Sequence, residues 1–216
     1  MTFKFDIEEI VSNISSKFQD NELAYLALTS KVELPLRDKI AFELHKKYVD
    51  THLICREWKS KDNKSQNRID IAIIDKSNSN LLCLIELKAQ SVVRYEKEFT
   101  RHLIDDLIKI RNLSQDENVE LYYIYFNNVI ICEHEFEDVF QNSVKYIRHL
   151  NKSIKNKNGS SNFSKTNWNK HLSLAQLSEA KSKHISLNAG KYYKRNVSIE
   201  TFVFGPVNKT EINTLT

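Results

Sequence analysis

The sequence predicts an α/β protein, a mixed β-sheet flanked by helices, followed by a basic C-terminal extension. Three observations predict it. From residue 33 onward the segments read in the order helix, strand, strand, strand, helix, strand, which is the signature of layered α/β packing. The segment LLCLIELKA (81–89) is apolar on both faces, as expected of a central strand covered from both sides. Charge is also unevenly placed. Residues 1–140 hold 19 Lys/Arg and 25 Asp/Glu, a net of −6, whereas residues 141–216 hold 13 and 3, a net of +10. The last third is therefore suited to meeting a polyanion. We divide the chain into 1–150, the α/β core with its N-terminal helices, and 151–216, the basic extension.

The elements follow in order. Residues 4–29 read as helical, with Phe5, Ile7, Ile10, Val11, Ile14 and Phe18 on one side. Pro35 suits the first turn of a second helix at 36–49, which buries Ile40, Ala41, Leu44 and Tyr48. HLICREW (52–58) reads as a strand, KSKDNKSQN as a polar loop and RIDIAIID (68–75) as a strand from its β-branched run. KSNSN (76–80) is a turn. Residues 94–113 form an amphipathic helix through Phe99, Leu103, Leu107 and Ile110. Residues 119–126 read as a strand, 128–133 as a second short one, 135–150 as a helix and 151–170 as a Lys/Asn/Ser-rich loop. A short helix near 171–184 and a strand near 197–204 complete the reading.

Composition narrows the function classes. Hydrophobic residues are 41% and charged residues 28%, with 3 Gly and 2 Pro, an ordinary globular balance. No stretch approaches the roughly 18 apolar residues of a membrane helix, and the N-terminus lacks a signal-peptide core, so we expect a cytoplasmic protein without membrane contact. Cys55, Cys83 and Cys132 are odd in number, widely spaced and set in apolar runs, which suits reduced thiols rather than disulfides or a zinc site. No Gly-rich phosphate loop and no GxSxG stand in the chain.

The chemistry concentrates on the hairpin of 68–75 and 81–89. Side chains alternate along a strand, so Glu86 and Lys88 share a face with Leu82 and Leu84. A five-residue turn places Asp75 against Leu81, Ile74 against Leu82, Ala72 against Leu84 and Asp70 against Glu86. Opposed residues have Cβ atoms about 4.5–5.5 Å apart, and like charges there repel. A divalent cation resolves that conflict. Mg²⁺ prefers oxygen ligands, uses one or two carboxylates and takes the rest from water and phosphate, and Mn²⁺ is the alternative. Lys88, two residues on, can hold attacking water or stabilise charge developing on phosphate. The competing reading makes Asp70 a mere strand start and Glu86 with Lys88 an exposed edge pair, and the apolar neighbours Leu84, Ile85 and Leu87 speak against it.

RID (68–70), the strand IAIID and IELK (85–88) together resemble the PD-(D/E)xK nuclease superfamily, which includes many restriction endonucleases. The likeness covers roughly residues 33–127, with Ile69 standing where the motif's name puts proline. It implies a restriction endonuclease-like core, with Asp70 and Glu86 as metal ligands and Lys88 as the catalytic lysine. Glu43 matches an additional acidic ligand on the preceding helix, and Gln90 matches a glutamine downstream of the lysine. It further implies a metal-dependent endonuclease acting on DNA in restriction or phage defence, a homodimer, and a partner methyltransferase if the role is restriction. The alternatives are a repair or recombination nuclease acting on ends or branched DNA, and a non-catalytic nucleic-acid-binding protein of the same fold.

The tail offers the phosphate contacts. Lys152, Lys155, Lys157, Lys165 and Lys170 surround Trp168, and Lys191, Lys194 and Arg195 flank Tyr192 and Tyr193, a mixture suited to phosphates and unpaired bases. A solvated lysine-rich loop is the alternative for 151–170. His102, Asp105 and Asp106 read as an ordinary helix face, Arg56 and Glu57 as structural, and Tyr122, Tyr123 and Tyr125 as sheet packing.

Overall fold

The structure is a computed structural model, and it describes residues 5–60, 67–90, 96–114, 116–131, 165–193 and 195–212. It is a mixed α/β fold built on one six-stranded sheet with helices on both faces. The elements are α1 (Ile7–Ser12), α2 (Glu22–Thr29), α3 (Glu33–Tyr48), β1 (His52–Trp58), β2 (Ile69–Asp75), β3 (Leu81–Gln90), α4 (Glu96–Leu113), β4 (Glu120–Ile131), α5 (Lys165–Leu174), β5 (Ser182–Tyr192), β6 (Arg195–Val207) and α6 (Lys209–Ile212). The strand order is β1-β2-β3-β4-β6-β5. Only β3 and β4 are parallel, joined by the α4 crossover, and every other pair is antiparallel. No described helix is long and apolar enough to cross a membrane.

Alternation along the strands divides the core in two. Ile71, Ile73, Cys83, Ile85, Leu87, Tyr122, Ile124 and Val203 pack against α1–α3, while Ala72, Leu84, Leu121, Tyr123, Tyr125 and Phe202 pack against α4–α6. β3 is buried on both faces, as its sequence requires.

Several elements differ from the sequence reading. The single helix at 4–29 is broken into α1, a 3₁₀ turn (Ile14–Lys17) and α2. Ser12 and Ser16 hydroxyls bond nearby backbone carbonyls, and Asn21 takes a left-handed φ of 64°, so the helical path cannot continue. α3 starts at Glu33, with Pro35 still inside the first turn where no N–H is needed. Residues 120–131 are one long strand. The helix expected near 171–184 lies at 165–174, and 182–192 is a strand, because Leu187 and Ala189 alternate inward as an edge strand requires. The sheet therefore includes β5 and β6 from beyond residue 150. The helix read at 135–150 and most of 151–170 lie outside the described residues.

Gly205 fixes how β6 joins β4. Its φ is +127°, and a Cβ there would stand 2.6 Å from the Leu121 carbonyl oxygen and 2.9 Å from Tyr122 Cδ1. The β4–β6 register shifts between Leu121 and Tyr123, opposite this point. Gly205→Ala is expected to cost about 2 kcal/mol through strain at positive φ and backbone collision, read as a lower denaturant midpoint at unchanged m. An unchanged midpoint would show that the bulge relaxes freely.

Candidate active site

The β2–β3 register is the one read from sequence over its central part: Ile71 pairs Ile85, Ala72 pairs Leu84 and Ile73 pairs Cys83. A bulge next to the turn makes Ile74 pair Leu81 rather than Leu82. Continued one step beyond Ile71–Ile85, the register sets Asp70 against Glu86.

β3 runs on past that point, and the N–H groups of Leu87 and Ala89 need acceptors. Carboxylates supply both. Leu87 N–H donates to Asp70 Oδ2 at 2.8 Å, and Ala89 N–H donates to Glu33 Oε2 at 2.8 Å. Glu33 also pairs with Lys31 at 2.8 Å. Arg37, one helical turn after Glu33, lies 3.7 Å from Asp70, 3.0 Å from Asp38, and pairs with Glu57. Two acidic side chains thus cap the free edge of the strand that carries Glu86 and Lys88.

Glu86 is buried, with its side chain 8% exposed. Its Oε1 accepts from the Lys109 ammonium at 2.7 Å, and its Oε2 is buried with no hydrogen-bond partner among the described residues. Burial, then the Asp70 charge, push its carboxyl up to about 7, against the opposing effect of Lys109. Asp70 is also raised above the ordinary carboxylate range, first by burial and then by Glu33, while Leu87 N–H, Arg37 and Lys109 oppose the rise. Lys88 is half-buried on the same face as Glu86. Across the interface, burial raises Asp106 on α4, and the Lys88 charge is the foremost influence against that rise. The Tyr123 hydroxyl donates to Asp106 Oδ2 at 3.5 Å, a long contact.

The structure brings Asp70, Glu86 and Lys88 to one end of β2 and β3. It does not bring Glu43 to them. Glu43 stands ten residues along α3 from Glu33, about 15 Å at ~1.5 Å per residue. There it pairs with Lys46 at 2.6 Å and Lys17 at 3.8 Å. Glu33 is the helical acid that reaches β3. The signal for it was present: Glu33 and Arg37 continue the Ile40–Leu44 stripe at helical spacing, which turns them toward the sheet. Asp106, read from sequence as part of an ordinary helix face with His102 and Asp105, and Lys109, which the sequence reading does not single out, both face the sheet from α4. Gln90 ends β3 and pairs in register with Asn127. Among the described residues, no group of three or more His, Cys, Asp or Glu side chains is placed to hold a metal.

Of the basic residues, Lys165 and Lys170 are exposed on α5 rather than on a loop, Lys191 is exposed on β5, and Arg195 Nη1 donates to the Tyr193 carbonyl at 3.2 Å. Lys152, Lys155, Lys157 and Lys194 lie outside the described residues. Trp168 is a core residue, not an exposed stacking surface. It is 1% exposed among Tyr123, Tyr125 and Phe202, with its indole N–H donating to Ser182 Oγ at 2.6 Å. Tyr25 and Tyr193, in contrast, are 51% and 53% exposed, and both rings contact Tyr192. This cluster stands at the β5–β6 turn, at the same end of the sheet as Lys88. Lys88 pairs Tyr125 on β4, and Asn196 pairs Ile131 at the end of that strand. The turn therefore projects roughly 20 Å beyond Lys88 along the strand direction, at ~3.3 Å per residue.

No family model, no curated protein and no solved structure matches this chain.

Proposed function

We propose that the chain is a metal-dependent endonuclease that hydrolyses phosphodiester bonds in DNA, in restriction or phage defence, on a restriction endonuclease-like core with a basic extension. The observation that carries this reading is the meeting of Asp70 and Glu86 across the β2–β3 hairpin, with Lys88 two residues further on the same strand face. A sheet built for stability alone avoids two buried carboxylates side by side.

Mg²⁺ or Mn²⁺ fits these residues in one respect that matters. Glu86 leaves a buried oxygen without a partner, next to a second carboxylate, and such a cation needs only one or two protein carboxylates. Asp70 and Glu86 would hold it, and when bound it supplies Lewis-acid polarisation of the scissile phosphate. The rest falls to the chain's own groups. Lys88 presents an ammonium that holds the attacking water and offsets charge developing on the phosphate. Asp106 on α4 lies within the electrostatic reach of that ammonium. Arg37 pairs with the Asp70 carboxylate from the α3 side, and Glu33 holds the Ala89 N–H of β3. Exposed Lys165, Lys170 and Lys191 offer phosphate contacts at a distance from the acids.

Incubation of supercoiled plasmid with the protein and Mg²⁺, followed by sequencing of the ends, tests the reading. Nicked or linear product is expected, absent with EDTA and with Asp70→Asn. Intact plasmid under varied substrates, with salt-sensitive DNA binding retained, would favour a second reading. In that reading the chain is a non-catalytic nucleic-acid-binding protein in which the Lys109–Glu86 pair replaces a metal, as the absence of a third acidic ligand among the described residues suggests. Cleavage confined to linear ends or branched DNA would move the role to repair or recombination.

A further inference from the structure

Glu86 and Lys88 on β3 face a pair of opposite order on α4. Lys109 meets Glu86, while the Lys88 charge acts on Asp106. Asp106 and Lys109 are three residues apart, so they share one face of the helix. The nuclease reading uses Glu86 and Lys88 but leaves Lys109 unexplained. Its ammonium sits 2.7 Å from Glu86 Oε1, on one of the two oxygens a divalent cation would need. A cation bound to this carboxylate repels the ammonium at that range. Asp106 lies one turn earlier on the same helix. Its carboxylate touches the Tyr123 hydroxyl, and among the described residues no ammonium or guanidinium is within ion-pair distance of it. Lys109 is nevertheless among the charges that act on it, so both carboxylates are within the field of one lysine.

We propose that Lys109 is a positioning residue with two stations. It is the counter-ion of Glu86 while no metal is bound, and it passes to Asp106 when a divalent cation takes Glu86. This rests on the metal-centre reading above. The pairing orients Glu86 in a buried place where an unpaired carboxylate is costly. It also sets a threshold, since the cation must displace a bound ammonium before it can lodge. Lys109 then stands beside Lys88 and Asp106, close to where the phosphate would enter.

Calorimetric titration of Mn²⁺ alone into the metal-free full chain tests this without reference to cleavage. Removing the competing charge by Lys109→Met is expected to tighten Mn²⁺ about tenfold, the worth of one charge-assisted hydrogen bond at a partly exposed site. Lys109→Gln gives a second neutral variant should the methionine form fold poorly, and Lys109→Arg is expected to stay near wild type. Asp106→Asn is expected to weaken Mn²⁺ several-fold, because the displaced ammonium loses its second station. Glu86→Gln is expected to abolish the site. Mn²⁺ affinity unchanged or lower in both neutral Lys109 variants, with Glu86→Gln still abolishing binding, would overturn the counter-ion role alone. An unchanged affinity in Asp106→Asn would overturn the transfer. Wild-type Mn²⁺ affinity in Glu86→Gln, or no binding by the wild type, would remove the metal centre and this proposal with it.

Discussion

Lys88→Ala is expected to reduce DNA cleavage by about a thousandfold while changing DNA affinity little, the magnitude typical of a positioned acid–base or charge-stabilising group. The argument is geometric. Lys88 shares the strand face of Glu86, is half-buried, and its charge acts on Asp106 across the α4 interface. The exposed lysines on α5 and β5 lie elsewhere, so most phosphate contacts survive the change. Stability should also survive, since truncating a half-buried lysine leaves Asp106 with Tyr123 and with Lys109 within reach on its own helix. Lys88→Arg is not expected to restore full turnover, because a planar guanidinium cannot replace a compact ammonium aimed at one oxygen. Plasmid turnover in Mg²⁺ and anisotropy binding in Ca²⁺ separate the two quantities. Wild-type cutting by Lys88→Ala would remove the lysine from the chemistry.

The second large effect concerns stability in EDTA. The Glu86 carboxyl titrates near 7 in the folded chain, raised by burial and by Asp70 from an ordinary value of 4.5. The folded state therefore binds a proton that the unfolded chain has already released between those two pH values. Stability is then full below pH 4.5 as far as Glu86 is concerned, falls as pH rises toward 7, and stays at the lower level above it. The shift corresponds to about 3 kcal/mol at pH 8. Asp70 and Asp106 are raised in the same direction and add to the slope. Glu86→Gln removes the penalty. It is expected to be nearly equal to wild type at pH 4.5 and more stable by about 3 kcal/mol at pH 8. Chemical denaturation at the two pH values measures it. A variant less stable than wild type at pH 8 would mean that the Lys109 pair outweighs the cost of burying the charge.

What the sequence revealed, and what it hid, divides along physical lines. The hairpin of β2 and β3 was legible because β-branched alternation and a short turn fix a register locally. The bulge at Ile74 moved only the turn end and left Asp70 opposite Glu86 in the continued register. α4 was legible from its apolar stripe. The end of α5 was not. It closes with Gln176 at φ 57°, and the Leu177 N–H reaches back to the Leu172 carbonyl at 2.8 Å. Glycine usually fills that left-handed position, and without it the stop signal was missing and the helix was read on into β5. Trp168 was misplaced for a different reason: an Asn- and Lys-rich segment conceals a helix that buries one indole. Glu33, Lys109 and Asp106 belong to the site through tertiary packing alone. Local patterning placed Lys109 and Asp106 on a helix and left Glu33 just before one, but could not say that α3 and α4 approach the same end of β3 from opposite faces of the sheet.

The central claim is that Asp70 and Glu86 together lodge a divalent cation. Anomalous diffraction from crystals of the protein grown or soaked with Mn²⁺ tests it most directly. The account predicts one strong peak within about 2.2 Å of an oxygen from each carboxylate, a distance typical of small hard cations, with Lys109 moved off Glu86. Well-diffracting crystals with no peak there, and with Lys109 still bonded to Glu86 at high Mn²⁺, would contradict it.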